Sequence, residues 1–376
     1  MADVVVVGGG LVGMSAAYRL ARDGARVTLV DAERAGQATA AGAGIISPGD
    51  RFGDGDPVLP LVERATNFYP ELLANLADDG ERLTGYEVVG TLHIASSEEE
   101  AARLPAVARL ATERRRAGFG HVGEVEQVDG VAARALFPAL GPVHGAVHLS
   151  GSARVDGGLL RDALERAARR RGLEVLHGTA ELRPVGERVT GVAVGGQVVA
   201  AGAVIVAAGA WSGALAGQLG VKLPVYPQRG QIAHLLLPSA QTGRWPIVVG
   251  FHSHYLLTFP ERRVVAGATR EDGPGDDPRL TAAGVHEVLG EALRVAPGLA
   301  GATVHEIRVG LRPASPDRLP VLGPAPGFGN VLLATGHGPS GLQLGPWSGA
   351  AMADLALGRA VPLDLAPFAA GRFQRA

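Results

Sequence analysis

Gly8-Gly9-Gly10-Leu11-Val12-Gly13 fits G-x-G-x-x-G, and its flanks constrain the fold more than any other feature of the chain. Residues 4–7 are a continuous β-branched run, the pattern of a buried parallel strand. Residues 11–23 carry Leu11, Ala16 and Leu20 at helical spacing, and Gly24 stands where a helix C-terminal glycine belongs. A second strand pattern over 26–30 stops at Asp31. Together these predict a right-handed β-α-β unit. Gly8 permits the tight turn, Gly10 lets a pyrophosphate approach the backbone, and Gly13 allows close packing of helix on strand. The helix N-terminus then faces the negative charge. Asp31 follows at the distance of a ribose-binding carboxylate, which accepts from ribose hydroxyls and repels a 2′-phosphate. The unit therefore suits FAD or NAD over NADP.

Downstream, the pattern is helical over 58–79 with an interruption at Pro70, strand-like over 88–95, and helical again over 98–117. A short helix over 130–136 and a strand over 145–149 precede Asp156, the N-cap of a helix over 157–171 closed by Gly172. Strands are expected at 174–176, 188–194 and 203–207. From Pro224 the texture changes to antiparallel-type strands at 231–237, 255–259 and 263–268, with a helix over 281–295. After Gly310 come a buried strand at 331–334, a second glycine turn at 338–341 and a helix over 348–357. The expected architecture is α/β, a doubly wound Rossmann-like nucleotide domain with a discontinuous, β-rich α+β substrate domain. Segments 1–85, 146–223 and 309–376 are assigned to the first domain, 86–145 and 224–308 to the second.

Composition removes several classes of function. With no cysteine among 376 residues, disulfides, thiolate-bound zinc, iron–sulfur clusters and a flavin linked through sulfur are excluded. A formal net charge of -2 gives no case for nucleic acid. No targeting segment is visible and the apolar runs are far shorter than the ~20 residues of a membrane helix, so a cytoplasmic protein is expected. His252, His254 and His305 lack a carboxylate cluster or an H-E-x-x-H frame, and no metal is expected. Ser340 lacks the G-x-S-x-G frame of a hydrolase nucleophile.

Several further segments decide between FAD and NAD. They are Gln37 to Ile46, Val155-Asp156-Gly157, Val206 to Trp211, Pro227 to Gln231, Tyr255 with Gly267-Ala268-Thr269, Gly310 to Asp317, and Ala334 to Gly338. In content and order the chain resembles the FAD-dependent glycine oxidase / D-amino acid oxidase superfamily over nearly its whole length. The resemblance implies FAD contacts at Gly8, Gly10, Leu11, Val12, Gly13, Asp31 and Ala32. It extends them to Thr39, Ala43, Gly44, Ile45, Glu181, Ala208, Gly209 and Trp211. A last group, Gly338, Pro339, Ser340, Gly341 and Leu342, would face the pyrimidine side of the flavin, where backbone amides stabilise negative charge. Gly310 stands near the position of the flavin-linking cysteine of monomeric sarcosine oxidases, so FAD is expected to be non-covalent.

For the substrate, the resemblance implies that Arg312 holds a carboxylate through its guanidinium fork. Tyr255 would support the same carboxylate or be a core tyrosine, and Gly338 would border the substrate. Arg270 either meets an acidic or polar substrate group or points to solvent. The expected reaction is removal of hydride from the CH–NH2 group of a small D-amino acid or glycine-like substrate, the imine then hydrolysing to an oxo acid and ammonia. Pro339 and Ser340 stand where some glycine oxidases carry an arginine, which counts against glycine itself. A secondary or N-methyl amine is the alternative substrate. A flavin-binding subunit that needs a partner chain is a rival reading, and an NAD-dependent dehydrogenase is another. Oxygen or a quinone-type molecule would accept the electrons, and a homo-oligomer is compatible with the sequence.

Overall fold

The structure is a computed structural model that describes residues 2–47, 55–119 and 121–374. Its first sheet is built on the strand Ala2–Val7, whose six residues are all buried or nearly so. Val27–Asp31 and Gln197–Val206 pair with it in parallel, one on each side, with Val4 opposite Val27 and Ala203. Glu174–His177 extends the sheet beyond Val27–Asp31, and Val331–Thr335 pairs in parallel with Gln197–Val206. Strands covered on both faces need apolar residues at successive positions, which is why Ala2–Val7, Val27–Asp31 and Val331–Thr335 read as near-continuous runs. The hairpin Ala180–Val185 and Arg188–Val194 adds antiparallel strands at the other end.

Helices cover this sheet. Leu11–Arg22 packs on Gly341–Ala356 so closely that a Cβ on Gly349 would lie 2.2 Å from the Val12 carbonyl oxygen. Three helices differ from the sequence expectation. Leu59–Asp78 runs unbroken through Pro70, and Gly341–Ala356 starts seven residues before the expected 348, with Pro346 inside it. The charged helix expected over 98–117 is two helices, Glu98–Ala101 and Leu104–Arg116.

The second sheet has eight strands. Its order is Thr303–Ala314, Tyr226–Leu236, Arg263–Gly267, His254–Thr258, Ile247–Phe251, Thr91–Ala95, Gly145–Leu149 and Val125–Val128. All neighbours are antiparallel except Ile247–Phe251 with Thr91–Ala95. Strand pairing therefore corrects two divisions drawn at 146 and 309. Gly145–Leu149 and the whole of Thr303–Ala314 belong to this sheet, because both bond to its strands along their length. Among the described residues no helix is long and apolar enough to cross a membrane.

Candidate active site

A cavity of about 760 Å³ takes its walls from both sheets. At one end lies the glycine turn. Gly8 has φ +113°, and a Cβ there would sit 2.3 Å from the Ala207 carbonyl oxygen, while one on Gly13 would sit 1.9 Å from that of Gly8. The turn can hug its neighbours only without side chains. Leu11 donates its N–H to Thr39 Oγ1 at 3.0 Å, and among the described residues no side chain caps the helix at Gly10, so the Val12 amide is left for a ligand. Asp31 lines the cavity and is 9% exposed, with Gln37 Nε2 donating to its two oxygens at 3.3 and 3.1 Å.

Farther along, Trp211 Nε1 is buried without a hydrogen-bond partner among the described residues, and the Arg34 guanidinium lies 5.6 Å from the centre of the Trp211 ring. Thr335 Oγ1 donates to the Gly209 carbonyl at 2.8 Å and ties the loops that end two parallel strands. His337 is fully enclosed, and burial holds its pKa down to about 4. Ser348 Oγ gives its proton to the Leu344 carbonyl at 2.9 Å and so accepts from His337 Nε2–H at 3.0 Å, which sets the neutral tautomer. A glycine-lined turn, an uncapped helix end, a ribose-type carboxylate and an orphan indole donor together fit a dinucleotide such as FAD.

At the far end stand Tyr255, Arg270 and Arg312. Opposite Arg312 on the neighbouring strand is Gln228, and the next inward-facing position is Gly230. A Cβ on Gly230 would be 2.2 Å from Arg312 Nη2, and one on Gly267 would be 2.5 Å from the Tyr255 hydroxyl. Both side chains lie in space that two glycines leave open. Arg312 Nη1 donates to the Thr269 carbonyl at 2.9 Å. Enclosure pushes the Arg312 pKa below the ordinary arginine value; Tyr255 and Glu271 oppose this, and Arg270 reinforces it. Arg270 is exposed, with Nη1 held by the Ser253 and Ala268 carbonyls at 2.9 and 3.4 Å. Among the described residues neither arginine forms an ion pair.

Most positions named from sequence line this one cavity: Gly8, Gly10, Leu11, Val12, Asp31 and Ala32; Thr39, Ala43, Gly44 and Ile45; Ala208, Gly209 and Trp211; Gly338, Pro339, Gly341 and Leu342. Gly13 lies behind the turn as packing. Ser340 is outside the lining, and so is Glu181, whose exposed side chain pairs with Arg183 at 2.9 Å while Ala180 faces the cavity. Thr91 and His93 also line it and were missed. Their spacing of two on a strand, which aims both at one face, was the available signal. His252 and His254 pair with Glu291 and Glu287 at 3.1 and 3.2 Å, and no three metal-type ligands converge among the described residues.

The family model for FAD dependent oxidoreductases, DAO, matches residues 3–355. An uncharacterised oxidoreductase of Bacillus subtilis, YurR, is 42% identical over 98% of both chains. The glycine oxidase of Pseudomonas aeruginosa is 33% identical, over 98% of this chain and 99% of its own. The crystal structure of iminodiacetate oxidase from Chelativorans sp. BNC1 superposes with a TM-score of 0.93 at 39% identity, covering 97% of this chain and 98% of that one.

Proposed function

The chain belongs to the DAO family of FAD-dependent oxidoreductases, and on that premise we propose that it oxidises the CH–NH bond of a small amine bearing a carboxylate held by Arg312. The observation that carries this reading is Arg312 itself, an enclosed cation that lines the cavity without a carboxylate partner among the described residues. An unpaired desolvated charge is costly, and a substrate carboxylate would offset the cost.

When bound, FAD supplies a two-electron acceptor for hydride. The amides of Gly10 and Val12 would hold its pyrophosphate, Asp31 its ribose, and the turn from Gly338 to Leu342 its ring system. Arg312 and Tyr255 orient the substrate by its carboxylate, so that its α-C–H has one fixed direction. Enclosure by both sheets excludes water while the bond breaks. The α-carbon loses a hydride and the nitrogen a proton, leaving an imine. Water then adds to that imine and yields an oxo acid with ammonia, or with a primary amine when the substrate is secondary.

A second reading, a secondary amine with two carboxylates, is favoured by Arg270. It lines the same cavity, and its Nε and Nη2 are not used in hydrogen bonds to the described residues. Similarity to an iminodiacetate oxidase supports this reading.

Anaerobic bleaching of the flavin tests both. Glycine, D-alanine, both aspartates, sarcosine and iminodiacetate are compared as reductants. Carboxylate-bearing amines should bleach, and Arg312→Gln should raise the half-saturating concentration roughly 30- to 4,000-fold. An unchanged concentration would reject the clamp. Under the second reading iminodiacetate outperforms sarcosine, and Arg270→Gln narrows that preference about two- to fivefold, the modest effect of an exposed charge.

A further inference from the structure

Every hydrogen bond from Arg312 to the described residues leaves from Nη1, to the Thr269 carbonyl at 2.9 Å and to Gln228 Oε1 at 3.5 Å. The Thr269 carbonyl therefore sets where the guanidinium lies. Thr269 is fully buried, and its N–H donates to the Gln231 carbonyl at 3.3 Å. Its Oγ1 accepts the Gln231 N–H at 3.0 Å and donates to Glu271 Oε1 at 2.8 Å. The same Oε1 accepts from Gln231 Nε2 at 2.7 Å. Glu271 Oε2 accepts from Arg229 Nε at 3.0 Å and Nη2 at 2.6 Å. Four donors converge on one carboxylate, two on each oxygen.

We propose that Glu271 is the positioning residue of the carboxylate clamp. Gripped by Arg229 and Gln231, it fixes Thr269, and the Thr269 carbonyl fixes Arg312 for the substrate. This rests on the reading of Arg312 given above. The chemistry requires an acid at this position, because a carboxamide would turn its own NH2 toward a donor. Glu271 also lies close enough to offset part of the cost of enclosing Arg312, which no neutral side chain would do.

The test uses the FAD-loaded enzyme, with binding of acetate followed by flavin absorbance and with KM and kcat for a carboxylate amine that bleaches the flavin. Glu271→Gln and Thr269→Val should weaken acetate and raise KM about ten- to a hundredfold, as a misplaced clamp requires, with a smaller change in kcat. Thr269→Ser keeps the hydroxyl and should stay within about threefold of the parent. Thr269→Val is nearly isosteric, so it carries the test if Glu271→Gln does not fold. Should Arg312→Gln weaken acetate while Thr269→Val does not, or should Val and Ser at 269 lose equally, the positioning role is overturned and the clamp survives. Should Arg312→Gln leave acetate binding intact, both fall together.

Discussion

His234 shows how burial can dominate a charge state in this protein. It is 3% exposed, and neither ring nitrogen has a hydrogen-bond partner among the described residues. Glu306 is 3.8 Å away, beyond hydrogen-bond reach, and Arg308, Arg263 and Asp156 are the other charges facing it. Burial, reinforced by Arg308, holds its pKa down to about 4. The unfolded chain takes up the same proton near ~6.5. Between those values the unfolded state binds more protons, so stability falls as pH drops through the window. His234→Met should flatten that part of a plot of thermal midpoint against pH. Some slope should remain, because His337 contributes with the same sign. An undiminished slope would remove His234 from the account. Membership of the cavity was legible for residues in a distinctive local context: the glycine turn, Asp31, and Arg312 in its Leu-Arg-Pro setting. Glu271 was not legible, because three of its four donors come from Arg229 and Gln231 on another strand. Ala180 lines the cavity and Glu181 does not, since in a strand one residue reverses the face.

Among elements, the prolines explain the largest differences between sequence and structure. A helix-interior proline removes the bond to the carbonyl four residues before it, so Pro346 frees the Leu342 carbonyl. The Tyr69 hydroxyl, from the helix packed alongside, donates to that carbonyl. Tyr69 is fully buried, which raises its pKa and keeps the hydroxyl protonated as a donor. A long-range partner thus makes the proline tolerable, and nothing in the local sequence signals it. Tyr69→Phe leaves the carbonyl unpaired and should cost about 1–3 kcal/mol in denaturant unfolding. A smaller loss would mean that another group satisfies the carbonyl. The central parallel strands were legible because two covered faces demand unbroken apolar runs. Thr303–Ala314 was not, since its first half lies largely exposed at the sheet edge and no buried face imposes an alternation there. Val304 is exposed in that half, while Glu306 and Arg308 pair with each other.

At the scale of the whole molecule, direct polar bonds tie the two layers together. Arg263 reaches Asp156 at 2.8 Å, Arg308 reaches the Ala40 carbonyl at 2.9 Å, and Leu311 N–H donates to the Gly36 carbonyl at 2.8 Å. Each bond joins segments far apart in sequence, and each sheet is assembled from interleaved stretches, so no change of composition marks the division. The cavity spans the junction, with Gly8 to Val12 on one side and Tyr255 and Arg312 on the other. FAD bound there touches both layers in the folded state and neither once unfolded, so it should couple their unfolding. FAD at a hundredfold excess over its Kd should stabilise the stripped protein by about 2.7 kcal/mol. Far-ultraviolet ellipticity and flavin fluorescence should then report one transition. If flavin leaves well before secondary structure is lost, or if added FAD moves no midpoint, the cavity is not what joins the layers, and the polar bonds between them must suffice.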